Sequence, residues 1–154
     1  MFGSRTTDPA RTRLGDGALY LVGSAGLAFS IALLWLGMRA VMGVGGFCAE
    51  GGPYVIETPC PPGAELMFLA FPLGFAAAGL MVWRGNALGG AYAALPLLAW
   101  PALFLSLGWN FLEFGVQPPG GGLAWGWLVP GVVFVLMGGG PLWLAWRSRG
   151  HVRA

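Results

Sequence analysis

Two cysteines, Cys48 and Cys60, lie with eleven residues between them in the stretch 45–63, GGFCAEGGPYVIETPCPPG, and no other thiol exists in the 154 residues. Outside a reducing compartment such a pair closes its loop as a structural disulfide, worth roughly 3 kcal/mol on the chain-entropy model. The rival chemistry is thiol–disulfide exchange, which needs an attacking dithiol, commonly C-x-x-C, and a second pair to pass electrons on. This chain has neither the spacing nor the second pair, so Cys48–Cys60 is read as a staple.

Four further polar residues stand in apolar surroundings. Ser106, Asn110 and Glu113 recur at i, i+4 and i+7, which places them on one face of a helix. Arg39 lies at a comparable depth in an earlier apolar run. A charge there needs a partner, either Glu113 or a loop glutamate such as Glu50. Two readings follow: a boundary ion pair that sets helix register, or the floor of an outward-facing binding site. The single histidine, His151, stands among arginines with no carboxylate or cysteine cluster nearby, which argues against a metal site or a histidine-based dyad. The glycines of 43–46 lack the lysine and the strand–turn–helix context of a phosphate loop. No cofactor motif is present. Pro53, Tyr54, Val55, Ile56 and Glu57 form a β-branched and aromatic segment bounded by proline and glycine. It suits either a lid over the helix ends or a contact with a partner.

Composition names the solvent. The chain is 56% hydrophobic and 9% charged, against roughly 25% charged in soluble domains. A water-soluble globule of this size could not hide so much apolar surface, so the bilayer must hold it. A net charge of +2 with arginines at the chain ends argues against nucleic acid as a partner.

The elements that must position these residues are four apolar runs at about 18–41, 65–83, 88–112 and 123–146, in one transmembrane domain covering 1–154. The expected fold is all-α: four transmembrane helices in an antiparallel bundle with a disulfide-closed first extracytoplasmic loop. The polar stretch 1–17 reads as a mobile tail. The first run exceeds the roughly 7–15 apolar residues of a signal peptide and lacks an A-x-A-like site after it, so it reads as an uncleaved anchor. Arg84-Gly85-Asn86 reads as a tight turn between helices two and three, and 113–122 as a second outer loop. With the N-terminus inside, the cytoplasmic segments hold seven of the eight arginines, and the outer ones hold Arg39 and all four glutamates. The positive-inside bias therefore puts both termini in the cytoplasm.

Small residues one turn apart mark packing stripes at Gly26–Ser30, Ala70–Gly74–Ala78 and Gly90–Ala94. Pro96 and Pro101 are expected to kink helix three, and Gly138-Gly139-Gly140-Pro141 to weaken helix four. Leu36-Gly37 recurs as Leu107-Gly108, and Trp83-Arg84 as Trp146-Arg147. That pattern fits either a repeat of two hairpins or the ordinary composition of membrane boundaries.

The cysteine loop, with its core C-A-x-G-G-P-Y-V-I…P-C-P, resembles one found in small, functionally uncharacterised four-helix membrane proteins of GC-rich bacteria. The likeness covers under a fifth of the chain. It implies the disulfide, outward placement of the loop and a bacterial inner membrane, and it carries no activity. The leading expectation is a non-enzymatic accessory or scaffold subunit of a larger membrane assembly, with lipid and other membrane subunits or copies of itself as partners. The alternatives are a small oligomeric transporter or channel using Arg39, Ser106, Asn110 and Glu113, and a lipid- or quinone-binding subunit.

Overall fold

A computed structural model describes residues 9–46, 48 and 59–151. Among them the chain is all-helical, with no strand. The helices are α1 (Pro9–Gly43), α2 (Leu66–Leu88), a short α3 (Ala91–Ala94) leading through a 3₁₀ turn (Leu95–Leu98) into α4 (Ala99–Val116), and α5 (Trp125–His151). Four spans, Thr12–Gly43, Leu66–Leu88, Ala91–Val116 and Trp125–Leu144, are long and apolar enough to cross a membrane, as in a multi-pass membrane protein. Cys48 and Cys60 are joined as a disulfide, with Cα atoms 4.7 Å apart.

Several boundaries differ from the sequence reading, each for a local reason. α1 starts at Pro9 rather than near 18, using a proline where a missing N–H costs nothing, so 9–17 is helix and not a loose tail. Asp16 in that segment pairs with Arg84 of α2 at 2.8 Å. That contact helps carry α2 through Arg84-Gly85-Asn86, which is not a turn. The chain reverses instead at Gly89 and Gly90, with φ of +73° and +57°, a region that only glycine enters without strain. The third span is broken as its prolines imply, but unequally. Pro96 cannot donate to the Tyr92 carbonyl and the backbone tightens into the 3₁₀ turn there, whereas Pro101 sits harmlessly in the first turn of α4. α4 then runs past Glu113 to Val116, and α5 begins at Trp125 and extends to His151.

Packing is organised in two hairpins. α1 lies antiparallel on α2, α5 lies antiparallel on α4, and α1 meets α4 along a shorter seam. In the first hairpin Gly23 takes Met81, Gly26 faces Ala77, Gly74 receives Ser30 and Gly37 receives Met67. The Ser30 hydroxyl, 2% exposed, donates to the Ala70 carbonyl at 2.7 Å. The expected stripes Gly26–Ser30 and Ala70–Gly74 therefore do meet, with Ala77 in the place of Ala78 at the contact. Gly90–Ala94 is no packing stripe: both residues are exposed, and a Cβ on Gly90 would touch nothing.

The second hairpin follows a reciprocal rule. Leu105 and Leu112 of α4 seat on Gly138 and Gly131 of α5, while Val135 and Leu128 of α5 seat on Gly108 and Gly115 of α4. Each helix thus alternates a branched knob with a glycine notch at heptad spacing, letting the backbones approach closely where lipid supplies no hydrophobic drive. This explains why Gly138-Gly139-Gly140-Pro141 does not interrupt α5. Gly138 is a packing notch, and the Met137 carbonyl, which Pro141 cannot serve, accepts from Trp100 Nε1 at 3.1 Å.

Candidate functional site

The polar residues converge where α1 crosses α4. α1 brings Trp35 and Arg39 one turn apart, and α4 brings Asn110 and Glu113 one turn apart, so the parallel seam sets two pairs side by side. Arg39 faces Glu113 with both terminal nitrogens: Nη1 donates to Oε2, and Nη2 donates to Oε1 at 2.7 Å. This two-point match of planar groups is the geometry in which arginine binds a carboxylate most firmly. Nη1 also donates to Asn110 Oδ1 at 3.3 Å. Asn110, with no exposed surface, returns its amide Nδ2 to the Trp35 carbonyl at 3.0 Å.

Aromatic rings close the cluster. The guanidinium lies 4.9 Å from the Trp35 ring centroid and 5.2 Å from that of Phe114, within reach of a cation–π attraction. Phe114 in turn meets Trp127 of α5 at 5.9 Å. Trp127 packs on Gly46, just beyond α1, where a Cβ would come within 2.7 Å of the ring. Gly46 also holds φ at +85°, so space and backbone both demand glycine there.

Of the residues singled out from sequence, the structure unites Arg39, Asn110 and Glu113, with Glu113 as a partner of Arg39. Ser106 stays outside. Its hydroxyl donates to the Leu103 carbonyl of its own helix at 2.8 Å rather than to the cluster. Cys48 and Cys60 are bonded to one another rather than poised as a dithiol. Glu50 and the segment Pro53, Tyr54, Val55, Ile56 and Glu57 lie outside the described residues.

Two contributors escape a sequence reading. Trp35 takes part through its backbone carbonyl and ring face, and nothing in an aromatic residue type announces a carbonyl acceptor. The Asp16–Arg84 pair, at the other end of α1, joins two residues that the sequence reading placed in a tail and a turn rather than on facing helices.

The arrangement is an electrostatic clamp whose two charged side chains remain partly exposed. The strongest donors of Arg39 are spent on Glu113 and Asn110, and the Asn110 amide is used at both ends. What such a network can do is hold two helices in one register. Among the described residues no group of three or more histidine, cysteine or acidic side chains gathers to hold a metal ion. Comparison with family models, curated protein sequences and solved structures finds no match to this chain.

Proposed function

We propose that this chain is a non-enzymatic scaffold or accessory subunit of a larger membrane assembly. Its four spans form an antiparallel bundle in a bacterial inner membrane, with both termini cytoplasmic and the disulfide-closed loop outside. The observation that carries the reading is the two-point pairing of Arg39 with Glu113, joined by Asn110, which ties α1 of one hairpin to α4 of the other.

Two further features support it. The ion pairs at Asp16 and Arg39 stand 23 residues apart on α1, about 34 Å at 1.5 Å per residue, close to the thickness of a hydrocarbon core plus its edges. They therefore suit boundary fasteners, one at each face. α5, besides, packs chiefly on α4 and leaves Val129, Val132, Val133 and Leu136 exposed.

Purification from native membrane in mild detergent tests the reading. A partner retained at fixed stoichiometry is the expected outcome, and a stable monomer retaining none overturns it. Ion or solute flux in liposomes that vanishes on Glu113→Gln would establish the transporter alternative instead.

A further inference from the structure

Besides the Arg39 clamp, the two hairpins meet at a second point, just past the end of α1. The chain there reads Gly43-Val44-Gly45-Gly46, three glycines in four residues. Gly45 and Gly46 hold φ at +99° and +85°. Glycine loses more backbone freedom on ordering than any other residue, so a fixed conformation here depends on restraints. Three are present. The N–H groups of Gly45 and Gly46 donate to the carbonyls of Met42 and Val41 at 3.1 and 3.0 Å, folding the segment back on the end of α1. The Trp127 ring of α5 lies directly on Gly46. Cys48, two residues further on, is bonded to Cys60.

Cys60 is itself anchored. Beyond it the Ala64 N–H donates to the Pro61 carbonyl and the Leu66 N–H to the Gly63 carbonyl, each at 3.1 Å, and Ala64 is buried. These turns tie the position of Cys60 to the start of α2. The disulfide therefore restrains Gly46 through a short arm, and Gly46 is the seat of Trp127. From Trp127 the contacts continue through Phe114, at 5.9 Å, to the Arg39 guanidinium, 5.2 Å from the Phe114 ring. A line of touching groups thus runs from the disulfide to the seam between the hairpins.

Cys48 and Cys60 are both partly exposed, which lets a thiol reach the bond. We propose that Cys48–Cys60 is a redox-sensitive lock on the join between the hairpins: opening it frees Gly46 from Trp127 and loosens the Arg39–Glu113 clamp. The agent is an external dithiol. Its thiolate attacks one sulfur of the bond, a mixed disulfide forms, and its second thiol displaces the other sulfur. The dithiol ends as a disulfide, and Cys48 and Cys60 end as thiols that have gained two electrons and two protons between them. This chain is the substrate of that exchange and not its catalyst, in keeping with its single pair of cysteines. The lock is independent of whether the chain acts as a scaffold.

The test uses the full chain in mild detergent, oxidised or reduced with dithiothreitol, with amide hydrogen exchange read residue by residue by NMR. Gly89, whose N–H donates to the Gly85 carbonyl at the far end of α2, is the reference. Reduction should speed exchange at Gly45 and Gly46 about tenfold and leave Gly89 unchanged. Trp127→Ala should show the faster exchange with the bond intact, and its reduction should add little. The drop in melting temperature caused by Glu113→Gln should shrink by about half once the bond is open, because a loosened clamp has less to lose. A Cys48→Ser, Cys60→Ser double variant should behave as the reduced protein does, which separates loss of the bond from any other effect of the reductant. Exchange at Gly45 and Gly46 that ignores reduction, or ignores the double variant, means that the bond restrains its own loop alone and overturns the proposal. Equal acceleration at Gly89 marks general loosening and overturns it too. So does a Trp127→Ala variant that responds to reduction as the wild type does, or an undiminished effect of Glu113→Gln.

Discussion

Arg39 touches an acid, an amide and two aromatic rings, and each contact lowers a different cost of placing a guanidinium in a membrane span. Glu113 balances the charge, Asn110 occupies a further donor, and the ring faces of Trp35 and Phe114 replace lost hydration. Removing one partner leaves the other charge uncompensated, whereas removing both does not. Arg39→Gln and Glu113→Gln should each lower thermal stability in detergent, and the double variant should be less destabilised than the sum of the two. The resulting coupling is expected at about 1–3 kcal/mol. Additive losses would show that the pair is not a clamp. Cys48 and Cys60 make the same point about residue chemistry. A thiol pair bonded within one loop restrains that loop and has no second pair to exchange with.

At the scale of elements, glycine matters in this protein as a recess more than as a breaker. Gly108, Gly115, Gly131 and Gly138 are each the seat of a branched side chain from the facing helix. Gly139 and Gly140, adjacent in sequence to one of these seats, face open space. Gly108→Leu should therefore force α4 away from α5 and destabilise the fold by about 1–3 kcal/mol, the usual cost of overpacking. Gly139→Ala meets no neighbour and should be neutral or slightly stabilising, since alanine is the better helix former. Thermal unfolding of the two variants side by side checks this, and equal effects would remove the basis for the notch arrangement. Proline follows a parallel logic. Pro141 leaves the Met137 carbonyl without its helical donor, Trp100 supplies one from α4, and the helix continues.

At the scale of the whole molecule, the two ion pairs stand about 34 Å apart along α1, and the proposed topology assigns seven of the eight arginines to the cytoplasmic segments. Orientation then becomes a labelling experiment. Single cysteines placed at Ser4 or Ser148 should be shielded from a membrane-impermeant thiol reagent in intact cells, and one placed at Gln117 should react. The reverse pattern would put the Cys48–Cys60 loop in the cytoplasm, where a structural disulfide does not persist.

Much of this was legible before folding. Four spans follow from composition and run length, because a bilayer imposes a length and a polarity on whatever crosses it, and both can be read along a single chain. The pairing of Cys48 with Cys60 follows from there being no other thiol. The polar face of Asn110 and Glu113 follows from helical spacing alone. Tertiary structure decided whatever depends on which helices touch. It turned Ser106 onto its own helix while its stripe-mates reached Arg39, because a serine hydroxyl can satisfy itself on a neighbouring carbonyl and a charged or amide side chain in lipid cannot. It carried α2 through Arg84-Gly85-Asn86, where local propensity favours a turn. Asp16 holds Arg84 from α1, and a Cβ at Gly85 would lie 2.5 Å from the Tyr92 carbonyl, so that glycine is required by an approach from outside its own helix. The glycine notches could have been seen as L-x-x-G-x-x-x-L-x-x-G and L-x-x-G-x-x-x-V-x-x-G, 105–115 and 128–138. Only the antiparallel register of α4 on α5, a property of two helices together, says that each leucine or valine has a glycine opposite.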